Sequence, residues 1–367
     1  MAPVPLSYES KITATEKGFD GAKRVLLLAP SRGLGGGIER YLETLQWAIV
    51  AQGASCQRID LSGAGIRAHA IMLARGKALL RASSEPVRLI VGHPGLLPVA
   101  KLLARKPAVC GIWALCYGAE VWSERLRPRR MLERSLMRRR DVRVVAISSF
   151  TAGVLGVDYS ATILPPALSQ KWFDTLVASA SSARQTPGFQ LVTAFRLEAW
   201  EEKGLAQLIE AVTATGRDDI HLTICGSGNP PQDLLRLLED QRWCTLQVDP
   251  TDSELARQLA AADVVVLATR TSSQHASGEG FGLVLLEAQV AGTAVIAPAH
   301  GGSSDAYVEG VTGVAPTDET AEALGRVLDE LLRNPARLAW MGKCAADWAR
   351  EAFAPERYAE LVARRLL

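Results

Sequence analysis

Glu279 and Glu287 stand eight positions apart around Gly280-Phe281-Gly282, and the second lies in an apolar run that begins at Leu283. An apolar stretch, Asp263 to Ala268, precedes them, with a polar loop from Thr269 to Ser277 in between. This order predicts strand, loop, glycine turn and helix. A helix entered from a glycine turn presents unsatisfied backbone N–H groups, and the positive end of its dipole, to whatever lies in front of it. With the helix starting near Gly282, Glu279 stays in the loop. Glu287 then falls inside the helix, roughly 7 Å further along its axis at about 1.5 Å per residue. Two carboxylates from different elements would face one cleft beside an anion-binding helix end.

Such a unit needs parallel α/β packing to hold it, and the same alternation recurs along the chain. In the first half the expected strands are Arg24 to Ala29, Arg88 to Val91, Cys110 to Leu115 and Val142 to Ile147, with Asp60 near the end of another. A glycine loop, Gly33 to Gly37, leads into an amphipathic helix from Ile38 to Gln52. In the second half the expected strands are Gln190 to Ala194, His221 to Cys225, Leu246 to Val248, Asp263 to Ala268 and Ala294 to Ala297. Helices there begin near Gly204, Pro231, Ser253 and Gly282, and Pro355 to Leu367 forms a last helix with one apolar face.

A chain of 367 residues exceeds one ordinary core and calls for two domains. The expected division is an extension over 1–22, a first domain over 23–176, an Ala- and Ser-rich linker over 177–188, a second domain over 189–350 and a terminal helix over 351–367. With 48% hydrophobic and 22% charged residues the chain is globular rather than disordered, and a net charge of +2 predicts no strong global field. No segment approaches the roughly 18 to 20 apolar residues that span a bilayer. Charges at Glu9, Lys11, Glu16, Lys17 and Asp20 speak against a signal peptide, so a cytoplasmic location is expected. Six cysteines without a CxxC pair are expected to be reduced, buried thiols and not a zinc site.

The Glu279–Glu287 segment resembles the E-x7-E motif of retaining glycosyltransferases with the GT-B fold, specifically glycosyltransferase family 4. The match continues through Gly292-Thr293-Ala294-Val295-Ile296-Ala297, Gly301-Gly302 and Glu309-Gly310-Val311-Thr312-Gly313. It runs from about Arg24 to the C-terminus and is most specific between Gln190 and Gly313. The resemblance implies two Rossmann-like, doubly wound α/β domains facing across a cleft, the first for the acceptor and the second for a nucleotide sugar, with the final helix crossing back to the first. It implies transfer of a hexosyl unit from a nucleotide diphosphate sugar to an acceptor hydroxyl with retention of configuration, the departing phosphate oxygen helping to take the acceptor proton.

Residue by residue, Arg196-Leu197 and Lys203-Gly204 resemble the family's phosphate-gripping pair; fixed cations stabilise the charge that grows on a released diphosphate. Glu287 would accept from the two ribose hydroxyls, a bidentate task that suits a carboxylate. Glu279 would contact the sugar, and the backbone from Gly280 through Phe281, Gly282 and Leu283 would meet sugar and phosphate. Gly35, Gly36 and Gly37 resemble the first glycine loop, which lets backbone approach the diphosphate. Cys116 to Trp122 resembles a first-domain segment in which Glu120 keeps the acid but Tyr117 replaces the usual histidine, so the choice of sugar stays open. Loops near Val248 and from Thr269 to Ser277 are expected to select base and sugar. No Asp-x-Asp stands in a suitable place, so neither metal nor other cofactor is expected.

Other readings remain. A glycosidase would use paired carboxylates about 5 to 10 Å apart, but Arg196 and Lys203 argue against it, since hydrolysis of a neutral glycoside releases no diphosphate. An NAD-dependent oxidoreductase could use Gly33 and Gly35 with Asp60 as its ribose acid, yet the register breaks at the third glycine and the second half is left unexplained. A relative that binds nucleotide sugar without catalysis would hardly keep Arg196, Lys203, Glu279 and Glu287 together. Arg125 to Arg140 holds eight arginines interleaved with Leu126, Met131, Leu132, Leu136 and Met137. It is either a solvated helix face or an electrostatic seat for anionic lipid headgroups on the inner membrane face, or for a lipid-diphosphate acceptor. Nucleic acid is not expected, because no aromatic platform accompanies the charge. The acceptor, in envelope glycan, glycolipid or glycosylated-metabolite synthesis, is a small molecule, a glycan or a lipid-linked group, and the donor base, uracil or guanine, is open.

Overall fold

The structure, a computed structural model, describes residues 23–30, 37–118, 128–156, 159–180, 187–271 and 278–367. The chain forms two compact units: Met1–Ser169 with Phe353–Leu367, and Gln170–Ala352.

The first unit is a parallel sheet in the order β2-β1-β3-β4-β5-β6, built from β1 (Arg24–Ala29), β2 (Ser55–Asp60), β3 (Val87–Val91), β4 (Val109–Cys116), β5 (Val142–Ala146) and β6 (Thr162–Ile163). Its helices are α1 (Gly37–Ala51), α2 (Gly65–Arg81), α3 (Leu97–Leu103), α4 (Pro128–Met137) and α5 (Ser149–Leu155). The central strands are mostly apolar, as expected of a sheet covered on both faces: all five residues of β3 are buried, Arg88 among them. Leu26, Leu28, Leu89, Val91, Ile112 and Leu97 share one core. The final helix, Pro355–Leu366, packs on α1 within this unit, burying Tyr358, Ala359, Val362 and Leu366. Buried Arg88 of β3 donates to the main-chain oxygens of Leu366 and Leu367 and stacks 4.5 Å over Trp113.

The second unit begins with α6 (Gln170–Ser179). That helix includes Val177 to Ser179 of the stretch read as a linker, and it packs on α9 and α10 defined below. The strands are β7 (Phe189–Arg196), β8 (Ile220–Ser227), β9 (Cys244–Val248), β10 (Val264–Val266), β11 (Ala294–Ile296) and β12 (Gly313–Val314), in the order β12-β11-β10-β7-β8-β9, all parallel. Helices α7 (Leu205–Ala214), α8 (Gln232–Glu239), α9 (Asp252–Ala261), α10 (Leu283–Val290), α11 (Ala321–Leu332) and α12 (Pro335–Ala352) complete it, so that the helix on the first unit is α13. Read from β9, the order is 3-2-1-4-5-6 in local numbering, the doubly wound arrangement whose topological switch lies between its first and fourth strands, here β7 and β10.

None of the six cysteines is in a disulfide; Cys116 and Cys225 are buried and the other four are half-buried. Burial pushes the Cys225 and Cys244 thiols up to about 12 and Cys56 up to about 11, which keeps them protonated near neutral pH. Among the described residues no helix is long and apolar enough to cross a membrane.

Candidate active site

In an open α/β sheet, ligands bind outside the carboxyl ends of the strands at the switch point. In the second unit those ends are Arg196, the last residue of β7, and the segment that leaves β10 through Leu267, Ala268 and Thr269. Arg196 is exposed and has no ion-pair partner among the described residues. Lys203 follows after a single 3-10 turn, Leu197–Ala199. Its backbone N–H donates to Ala199. Gly204, the N-cap of α7, adopts φ 67°, and a Cβ there would lie 2.1 Å from the Ala268 carbonyl oxygen. The lysine loop is therefore pressed directly against the end of β10.

That contact brings three side chains together. The Lys203 ammonium lies 2.8 Å from Glu279 Oε2, and Thr269 donates its hydroxyl to the same oxygen at 3.0 Å. The side chains of Lys203 and Glu279 are 24% and 13% exposed, so the pair is only partly screened by water. The Glu279 carbonyl accepts from Gly302 N–H at 2.7 Å, which ties the Gly301-Gly302 turn to the loop of the first glutamate. Thr269, 2% exposed, is a site residue that the sequence reading did not single out; the signal was one polar side chain closing an apolar strand.

Gly282 caps α10 at φ 86° and ψ 64°, and the helix runs from Leu283, as the glycine turn predicts. Gly280 and Leu283 are half-buried, whereas Phe281 is 2% exposed and anchors the turn in the core. Glu287 lies inside α10 and is 5% exposed; its Oε1 accepts from the indole Nε1–H of Trp172 on α6 at 3.0 Å. Arg196, Lys203, Glu279 and the α10 turn thus occupy one end of one sheet. Val248 is exposed at the end of the edge strand β9, beside Asp249, whose φ of 48° is unusual for a non-glycine residue. Asp249 accepts from Gly228 N–H at 3.0 Å, tying the β8 and β9 loops together.

In the first unit the order 2-1-3-4-5-6 sets the switch between β1 and β3. A concavity of about 720 Å³ opens there, lined by Pro30, Asp60, His69, His93, Leu96 and Arg129 among others. Asp60 is held by Arg58 at 2.7 Å, and His93 Nδ1 accepts from Gly95 N–H at 3.0 Å. Gly37 is the exposed first residue of α1, while Gly35, Gly36 and Glu120 lie outside the described residues. The Tyr117 hydroxyl does not face solvent. Its ring meets Tyr41 edge-on at 5.7 Å, near Tyr358 of α13 within the first unit, and the residue as a whole is half-buried. Burial raises the Tyr41 and Tyr358 phenols well above their ordinary value, so both stay protonated near neutral pH.

Residues 180–348 match the family model described as Glycosyl transferases group 1. A GDP-mannose-dependent alpha-(1-6)-phosphatidylinositol monomannoside mannosyltransferase of Mycolicibacterium smegmatis is 29% identical over 266 residues, 69% of each chain. A D-inositol 3-phosphate glycosyltransferase of Pseudarthrobacter chlorophenolicus is 33% identical over 57% of this chain and 53% of its own length. Among solved structures, a sucrose-phosphate synthase from Thermosynechococcus elongatus superimposes with a TM-score of 0.73 at 20% identity, over 93% of this chain and 98% of that one. Anabaena HepE in complex with UDP-glucose gives 0.70 at 16% identity, over 93% and 99%. The two parallel six-stranded sheets have the arrangement of GT-B glycosyltransferase structures, and residues 180–348 match the glycosyl transferases group 1 model.

Proposed function

We propose that the chain transfers a hexosyl unit from a nucleotide diphosphate sugar to an acceptor hydroxyl, with retention and without a metal. The observation that carries this reading is the Lys203–Thr269–Glu279 cluster beside the α10 turn, at the switch point where a nucleotide would lie. Arg196 and Lys203 supply the positive charge for the departing diphosphate, and the α10 backbone N–H groups add to it. Glu279, already next to Lys203, is in reach of a sugar whose phosphate that lysine holds. The anomeric carbon–phosphate oxygen bond breaks, the acceptor oxygen bonds the same face, and its proton passes to the departing phosphate.

The first-unit concavity, with a carboxylate, two imidazoles and a guanidinium, suits a polyol acceptor that bears a phosphate ester. The relatives named above support that choice: both names contain an inositol unit, and one names GDP-mannose. The test is release of nucleoside diphosphate from GDP-mannose and UDP-glucose in the presence of inositol, inositol 3-phosphate or phosphatidylinositol vesicles, with the product anomer read by NMR. An α-linked product from an α-linked donor supports the reading. Tight nucleotide-sugar binding with neither transfer nor donor hydrolysis would make the chain a binder only.

A further inference from the structure

Glu287 is a buried carboxylate on a helix whose one other polar side chain is Gln289: every residue of α10 from Val284 to Val290 is buried. A charge in that setting needs donors to hold it. One is the indole N–H of Trp172, at 3.0 Å from Oε1, and Trp172 is itself 7% exposed. It comes from α6, whose surroundings in the sequence read as a linker; in the structure that helix packs on α9 and α10 as part of the second unit.

We infer that Trp172 is a positioning residue for nucleotide recognition: its indole N–H fixes the Glu287 carboxylate in the orientation that receives the ribose diol. The inference rests on the proposed donor role of Glu287. A glutamate has three rotatable bonds, and freezing them before the ligand arrives lowers the entropic cost of binding. An indole is suited to this. It donates only one hydrogen bond and carries no charge, so it orients the carboxylate without neutralising it. A carboxylate accepts several hydrogen bonds at once, so an indole and a vicinal diol can share it. The aromatic body, packed between helices, keeps the donor itself from moving.

The experiment measures the ribose preference of the full chain by calorimetry: affinity for GDP and UDP against their 2′,3′-dideoxy counterparts. The wild-type protein should favour the ribonucleotide by about tenfold or more, the range for a hydrogen bond to a charged group. Glu287→Gln should abolish most of that preference. Trp172→Phe, which keeps aromatic packing and removes the N–H, should cut the preference at least about threefold while dideoxynucleotide affinity stays within about twofold, and the double variant should lose no more than Glu287→Gln alone. Benzothienylalanine at position 172, close to tryptophan in size but without the N–H, gives the same readout should the Phe variant fold poorly. A preference intact in Trp172→Phe but lost in Glu287→Gln overturns the positioning role and leaves the donor role standing. Equal loss for both nucleotide types would make Trp172 a packing residue only. A preference that survives Glu287→Gln overturns the donor role and this inference with it.

Discussion

Lys203 already sits against a carboxylate, so under the proposed function a donor diphosphate would have to share or replace the Glu279 contact at 2.8 Å. Thr269 bonds the same oxygen and keeps Glu279 partly satisfied if the lysine turns toward phosphate. Replacing Lys203 or Arg196 by Ala should lower kcat by roughly 10² to 10³, the effect of removing one charge-stabilising donor. The variants should differ in stability. Exposed Arg196 leaves melting unchanged, whereas loss of Lys203 costs about 1 kcal/mol, because Glu279 loses its cation. Near-normal turnover in either variant would remove the phosphate role. Tyr117 calls for the opposite expectation. With its hydroxyl in the core beside Tyr41 and Tyr358, Tyr117→Phe should leave kcat/KM within about twofold, while Tyr117→Ala should cost about 2 to 4 kcal/mol of stability by opening a cavity. A Phe variant with kcat/KM more than tenfold down would show that the phenol reaches the sugar after all. The sequence marked Tyr117 as a departure from the family pattern but could not aim it, since the aiming residues lie on α1 and α13, at opposite ends of the chain. Trp172 was illegible for a related reason: its partner Glu287 lies 115 positions along the chain, and it carries no motif of its own.

At the scale of elements, the strand-turn-helix unit was legible because two periodicities meet at glycines. β10 is apolar and α10 nearly so, and Gly282 with its positive φ begins the helix. β6 and β12 went unread because two-residue edge strands carry no pattern. α6 was masked by its Ala- and Ser-rich C-terminal end, and what makes it a helix is tertiary: Trp172 and Leu176 are its buried residues. Gly204 and Gly282 should respond differently to a methyl group. At Gly282 the added Cβ meets the Leu285 Cδ1 at 3.0 Å, a side chain that can shift, so Gly282→Ala costs mainly the left-handed backbone, about 1 to 2 kcal/mol. At Gly204 the obstacle is the Ala268 backbone at 2.1 Å, which cannot yield without moving the end of β10. Gly204→Ala should cost about 3 kcal/mol or more and, in whatever still folds, separate Lys203 from Glu279. Denaturant melts of both variants read the order directly, and equal losses would mean that the lysine loop is not pressed on β10 as described.

For the molecule as a whole, a net charge of +2 hides a concentrated patch. α3 and α4 pack side by side in the first unit, and residues 97–106 and 128–141 carry nine basic against two acidic side chains. Leu102, Met131 and Leu132 stand 39%, 56% and 50% exposed among them, and a groove of about 690 Å³ runs between the helices past Lys101, Arg105 and Arg139. The sequence showed the α4 half of this surface; Lys101, Leu102 and Arg105 join it only through the fold. If this surface seats the chain on an anionic bilayer, the cations would meet phosphates and the exposed apolar side chains would enter the headgroup boundary. Arg129 stands apart from this role, since it pairs with Glu133 at 3.0 Å and lines the first-unit concavity. The variants to make are therefore Arg105, Arg139 and Arg140 to Gln, and separately Met131 and Leu132 to Ser. The charge variant should weaken binding to phosphatidylglycerol-containing vesicles by up to about 1 kcal/mol per residue, and raising salt from low to 0.5 M should do the same to the wild-type protein. The apolar variant should weaken it without changing the salt dependence. Turnover of a small soluble acceptor should survive in both, because the concavity and the Lys203 cluster are untouched. A wild-type protein that ignores anionic vesicles at low salt would return this surface to an ordinary solvated face and favour a diffusible acceptor.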